Sequence, residues 1–199
     1  MLWAADGTVT ALPGPAGATS RALAINERGD VVGVAATGAG LHAILWPGGR
    51  AAQDLGTLPG HTTSEADGVN ARGDIVGYSG AANGARRATL WPSGGGILDL
   101  GTLPGGDFSR ALGINDAGDI VGTSTSTFGS RAFLWTPSAG LQDLNGLIVP
   151  SSFVLTQAVG INTAGMIAAT GRDAGGSAGH EAHEFPVRVF LLLRSGVQP

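Results

Sequence analysis

The stretch from Ser109 to Leu144, SRALGINDAGDIVGTSTSTFGSRAFLWTPSAGLQDL, decides the fold, because most of the chain is this stretch written again with changes. Aligned on its Asn-x-x-Gly turn, the unit recurs as INERGDVVG from Ile25, VNARGDIVG from Val69, INDAGDIVG from Ile114 and INTAGMIAA from Ile161. The turn asparagines Asn26, Asn70, Asn115 and Asn162 are 44, 45 and 47 residues apart. Trp3, Trp46, Trp91 and Trp135, spaced by 43, 45 and 44, give the same period independently, and Leu192 stands in the next tryptophan's place.

A period of about 45 residues without long 3.6-periodic apolar stripes is that of a four-stranded sheet module. ALGIN and DIVGTS read as the first two strands, and the Asn-x-x-Gly between them suits a type I turn closed by a glycine at positive φ. RAFLW is the third strand, with Arg131, Phe133 and Trp135 alternating with Ala132 and Leu134, and LQDL is a short fourth. One such sheet would leave both apolar faces in water, so neighbouring copies must cover each other. The expectation is an all-β, β-propeller-like array of about four four-stranded antiparallel blades in a single domain, closed into a ring or left as an open arc.

Along the chain, residues 1–13 match only the third and fourth strands of a unit; full copies follow at 20–60, 64–105 and 109–147, and a fourth at 156–194 stops after three strands. Ring closure would have Val9 to Leu12 complete the last blade. The fourth copy carries an inserted loop, 171–184, of sequence GRDAGGSAGHEAHE. In repeat arrays such insertions project from one rim and often bind partners.

The residues that carry this reading also resemble the bacterial extracellular HAF repeat, named for a His-Ala-Phe element before the tryptophan. That element reads His42-Ala43-Ile44, Arg87-Ala88-Thr89, Arg131-Ala132-Phe133 and Arg188-Val189-Phe190 here. Three copies have Ser-x-Ala before the GIN segment, and two close on Asp-Leu-Gly-Thr-Leu-Pro-Gly, from Asp54 and from Asp99. The resemblance spans nearly the whole chain. It implies an exported, β-rich, propeller-like repeat protein with no assigned enzymatic activity, and it supplies no catalytic residues.

Bulk properties narrow the function. The net charge is −4, and all 11 cations are arginines scattered singly except Arg86-Arg87, so a nucleic-acid footprint is missing. With no cysteine, disulfide and thiolate-metal chemistry are closed. The longest apolar run near an end, Val189 to Leu193, is far below the roughly 18 residues that span a membrane. The N-terminus MLWAADGTV lacks the basic and apolar regions of a secretory signal, which leads to the expectation of a fragment or a start inside a longer protein.

Several constellations were weighed as sites. His180, Glu181, His183 and Glu184 in the insert carry metal-ligating groups, but in His-x-x-His spacing without a third fixed ligand. They are candidate binding residues, and no metal or cofactor is implied. Gly175 to Gly179 spell Gly-x-Ser-x-Gly without the strand-to-helix context a nucleophile elbow needs. Arg28-Gly29-Asp30 and Arg72-Gly73-Asp74 spell an integrin-recognition tripeptide, though the turn itself demands the glycine. The four turn asparagines are read as Asx-turn residues rather than an axial ring of amides. His42, Arg87, Arg131 and Arg188 at the head of the third strand face Asp54, Asp99 and Asp143 on the fourth as cross-strand partners. Trp46, Trp91 and Trp135 are read as packing between blades rather than a sugar platform.

The functional expectation is a non-enzymatic extracellular or surface module that binds a protein or glycan through rim loops. The alternatives are a propeller hydrolase or lyase using the 180–184 loop, and a structural fragment without autonomous activity.

Overall fold

The computed structural model describes residues 2–3, 6–149, 152–174 and 188–192. They form an all-β protein of four antiparallel sheets of three or four strands, preceded by one pair of short strands. That pair is β1 (Leu2–Trp3) with β2 (Val9–Thr10). Sheet 1 contains β3 (Ser20–Ile25), β4 (Val31–Thr37), β5 (Gly40–Trp46) and β6 (Gln53–Asp54). Sheet 2 contains β7 (His61–Val69), β8 (Ile75–Ala81), β9 (Arg86–Trp91) and β10 (Leu98–Gly101). Sheet 3 contains β11 (Ser109–Ile114), β12 (Ile120–Ser126), β13 (Gly129–Thr136) and β14 (Gly140–Asp143). Sheet 4 has three strands, β15 (Phe153–Ile161), β16 (Ile167–Asp173) and β17 (Arg188–Leu192). No helix among the described residues is long and apolar enough to cross a membrane.

Each sheet is a meander whose first hairpin is set by the Asn-x-x-Gly turn. In all four copies the glycine N–H donates to the asparagine carbonyl, and the asparagine N–H donates to the carbonyl four residues on. Gly29, Gly73, Gly118 and Gly165 hold φ of 78, 87, 87 and 78°, which an L side chain resists. A second glycine shapes the strand itself. At Gly33, Gly77 and Gly122, opposite the bulge in the first strand, an added Cβ would lie 1.9, 1.9 and 2.0 Å from the carbonyl oxygens of Arg21, Glu65 and Arg110. The bulge therefore requires a bare backbone in sheets 1 to 3.

The sheets stack in chain order, with the first strand of each lying across the preceding sheet: β7 on β3, β4 and β5, β11 on β7, β8 and β9, and β15 on β11, β12 and β13. Three apolar clusters fill these joints. Val32, Ala43 and Leu45 of sheet 1 meet Ala66, Ile75 and Trp91 of sheet 2. Val76, Ala88 and Leu90 of sheet 2 meet Ala111, Ile120 and Phe133 of sheet 3. Val121, Ala132 and Leu134 of sheet 3 meet Ala158, Ile167, Ala169 and Phe190 of sheet 4. Period-2 alternation thus gives every sheet a forward face and a backward face. At about 1.5 to 3 kcal/mol for each buried large aliphatic or aromatic side chain, the joints rather than the single sheets hold the fold.

Two details differ from the sequence reading. Val9–Thr10 pairs with Leu2–Trp3, so it does not complete sheet 4, whose last strand β17 has only β16 beside it among the described residues. Gly171 to Asp173, assigned to the inserted loop, continue β16 and pair with Phe153 to Leu155. β16 is seven residues long, as are β4, β8 and β12, so Gly171 to Asp173 belong to the second strand that every copy has.

Candidate functional site

The turn asparagines do more than close their turns. Asn26 Oδ1 accepts from the N–H groups of Arg28 and Asp30, and Asn70 repeats this with Arg72 and Asp74, as an Asx turn requires. The amide nitrogen then crosses the joint. Asn26 Nδ2 donates to the Asn70 carbonyl at 2.9 Å, Asn70 to the Asn115 carbonyl at 3.1 Å, and Asn115 to the Asn162 carbonyl at 3.3 Å. The result is a one-way ladder. Asn70 and Asn115 are buried, Asn26 is half-buried and Asn162 is exposed.

The serine of Ser-x-Ala is a second lock. Ser64 Oγ accepts from the Ala43 N–H at 2.9 Å and donates to the Gly56 carbonyl at 2.7 Å. Ser109 does the same with Ala88 at 2.8 Å and Gly101 at 2.6 Å. One hydroxyl thereby ties the third strand of one sheet and the segment after its fourth strand to the next sheet.

In the Arg-Gly-Asp tripeptides each arginine pairs with its own turn's aspartate while staying about half exposed. Arg28 and Arg72 each reach their own turn's Asp30 and Asp74 at 2.8 Å. Burial pushes the Asp74 carboxyl up, but the Ser93 N–H, the Asn70 amide and Arg72 outweigh it and hold it down at about 2. Burial likewise opposes, and Asn26 and Arg28 overcome it to lower, the Asp30 carboxyl.

At the head of the third strand, His42 Nδ1 lies 2.9 Å from Asp54 Oδ2, and Arg131 Nε lies 3.8 Å from Asp143 Oδ2. Arg87 instead donates to Thr102 Oγ1 at 3.1 Å, while Asp99 accepts from the Gly101 N–H. Arg188 faces Asp173 of β16 at 3.5 Å. Trp46 and Trp91 are buried and Trp135 is half-buried in the joint between sheets 2 and 3. His180, Glu181, His183, Glu184 and the Gly175 to Gly179 motif lie outside the described residues. Among the described residues no group of three His, Asp or Glu side chains is arranged to hold a metal ion.

Sequence reasoning missed two features. The first is an ionic cluster where the first strands run side by side. Arg110 reaches Glu65 Oε1 at 2.6 Å and both oxygens of Asp67, and Arg21 reaches Glu65 Oε2 at 2.8 Å. Arg86 and Arg110 flank the Tyr78 ring at 4.6 and 5.1 Å from its centroid. Burial raises the Asp67 carboxyl despite Arg110, and raises the Tyr78 hydroxyl with Glu65 adding to it. Two adjacent carboxylates suggest acid–base chemistry, but each here is capped by a guanidinium, which makes the cluster a strut between sheets 1, 2 and 3. The signal lay in the middle residue of Ser-x-Ala and its fourth-copy counterpart, which reads Arg21, Glu65, Arg110 and Gln157.

The second is a groove of about 670 Å³ between sheets 3 and 4. Leu134, Leu144, Leu147 and Ile148 line one side and Ile161, Ile167, Leu191 and Leu192 the other, with Thr136, Ser138 and Gln142 supplying polar contacts. Among the described residues its one ionisable lining group is Asp119, which belongs to the Asn115 turn. In sheets 1 to 3 a fourth strand pairs with the third, whereas here no strand among the described residues pairs with the outer edge of β17 beside the groove.

Compared with protein-family models and with curated proteins, the chain matches none.

Proposed function

We propose that the four sheets are blades of a propeller-like array and that the chain works as a non-enzymatic binding module, exported as its resemblance to the HAF repeat implies. Its ligand is a protein segment in extended conformation, seated in the groove between sheets 3 and 4 and hydrogen-bonded to the edge of β17. The observation that carries this reading is the coincidence of an aliphatic groove with an unpaired strand edge, the two halves of a β-addition site. Main-chain pairing supplies affinity in that mode and the apolar lining selects side chains. A glycan is the poorer fit, because no aromatic ring lines the groove and Trp46 and Trp91 are buried.

Selection of displayed random peptides of about a dozen residues on the immobilised chain tests this. Selected peptides should bind with alternating apolar residues and lose at least about tenfold in affinity on Leu147→Asp, a side chain exposed enough to change without unfolding. Failure to select any peptide, or binding indifferent to the substitution, overturns the reading.

A further inference from the structure

The occupant of the β17 edge can be named from the way the sheets already join. This step rests on the binding site just described. We propose that a second copy of this chain docks head to tail, with its β2 segment, Val9 to Leu12, pairing with β17 as the fourth strand of sheet 4 and its sheet 1 stacking on the forward face of sheet 4.

At each end of the array, part of the joint that its interior repeats three times is left exposed. On the forward face, Val32, Ala43 and Leu45, then Val76, Ala88 and Leu90, then Val121, Ala132 and Leu134 are covered by the next sheet. Their counterparts in sheet 4 are Ala168, Val189 and Leu191, and the last two are 79% and 67% exposed. On the backward face, Ala66 and Ala111 are fully buried, and Val69 and Ile114 pack into the joints. In sheet 1 the same face is covered in part by the chain's own Leu12, which packs on Val31, Ile44 and Trp46, while Ala22 and Ile25 beside it are exposed, Ile25 by 55%. An aliphatic surface of this kind on both ends, complementary in the sense that three internal joints demonstrate, is continuous with an existing interface.

The polar locks agree. Asn162 Nδ2, which has no acceptor among the described residues, stands where Asn26, Asn70 and Asn115 each donate forward. The Asn26 carbonyl stands where Asn70, Asn115 and Asn162 each receive such a donor. The charge row also permits the contact: Arg21, Glu65, Arg110 and Gln157 run in order, so the next residue would be Arg21 of the second copy beside a neutral Gln157. A fourth arginine at 157 would have repelled it.

One strand must give way, because β1 and β17 are both third strands. β1 pairs with β2 only at Leu2↔Thr10 and Trp3↔Val9, so its displacement by the five residues of β17 is the natural exchange. By the register of sheet 3, where Leu141 faces Trp135 and Gln142 faces Leu134, Val9 would face Leu192 and Thr10 would face Leu191.

Sedimentation of the full chain over a wide concentration range tests the proposal, with two variants at exposed sites, Ile25→Arg on the head and Val189→Arg on the tail. The wild type should associate with rising concentration. Each variant alone should be monomeric, since every contact needs one intact head and one intact tail, and far-ultraviolet circular dichroism confirms that both are folded. Mixed together, they should form a heterodimer that stops at two chains. A wild type that stays monomeric, or variants that associate alone as well as the wild type does, overturns the proposal. Selected peptides that bind the groove of a monomeric wild type would overturn it while leaving the binding-module reading intact, whereas absence of both peptide binding and association would overturn the two together.

Discussion

The inner sheets and the outer ones are built from the same unit under different constraints. In sheets 2 and 3 both faces are covered, and the sequence keeps every device: the bulge glycines Gly77 and Gly122, the turn carboxylates Asp74 and Asp119, and the hasp serines Ser64 and Ser109. In sheet 4 the same positions hold Ala169, Met166 and Thr156, and in sheet 1 the Ser-x-Ala strand keeps its letters but lies exposed. Sheet 1 keeps Gly33, Asp30 and Ser20 although its first strand is exposed, because the bulge glycine must clear a carbonyl of its own hairpin and Ser20 still donates to the Leu12 carbonyl. Only in sheet 4 does the hairpin survive with other residues at all three positions.

Charge gives the sharpest way to break this comparison. Arg110→Met leaves Asp67 buried without a counterion and Glu65 with Arg21 alone, and should cost about 3 kcal/mol in urea unfolding. Arg21→Met removes a side chain that is 62% exposed and should cost less than about 1 kcal/mol. Equal losses would mean that the cluster does not distinguish an inner joint from the outer face.

Backbone strain comes next. Gly77→Ala places a Cβ on the Glu65 carbonyl and should destabilise by about 2 to 3 kcal/mol, whereas Ala169→Gly at the matching place in sheet 4 should cost about 1 kcal/mol through chain entropy and lost packing. A well-folded Gly77→Ala with unchanged denaturation midpoint would show that the bulge can relax.

The ladder is the third test. Asn70→Ala strips one buried turn and one joint of their bonds and should cost about 2 kcal/mol, while Asn162→Ala loses only its turn and should cost about half that.

The smallest effect concerns pH. The Asp74 carboxyl, held at about 2 against an ordinary 3.8, contributes stability that is fully present above pH 3.8 and is lost as pH falls toward 2. That contribution is at most about 2 kcal/mol. Asp74→Asn should therefore flatten the acid limb of the stability curve, and Met166→Ala in the corresponding turn of sheet 4 should leave that limb unchanged.

The repeat, its four strand positions and the turn asparagines were legible because each depends on residues close in sequence. Trp46 and Trp91 were legible as packing because alternation fixes their face. The cross-strand aspartates were legible only in part: Asp54 meets His42, but a bulge between Asp99 and Gly101 accompanies the partnering of Arg87 with Thr102. The ladder, the Glu65–Arg110 cluster and the groove were not legible. They depend on which residue of one copy stands beside which residue of the next, and a period alone does not give that offset.

Since Asn26, Asn70 and Asn115 each donate toward the C-terminal neighbour, to Asn70, Asn115 and Asn162 in turn, the joint and not the sheet is the cooperative element. Amide exchange should then be slowest in β7 to β14, flanked by joints on both sides, and quicken toward either end, so the molecule frays from its outer sheets inward while its middle stays closed.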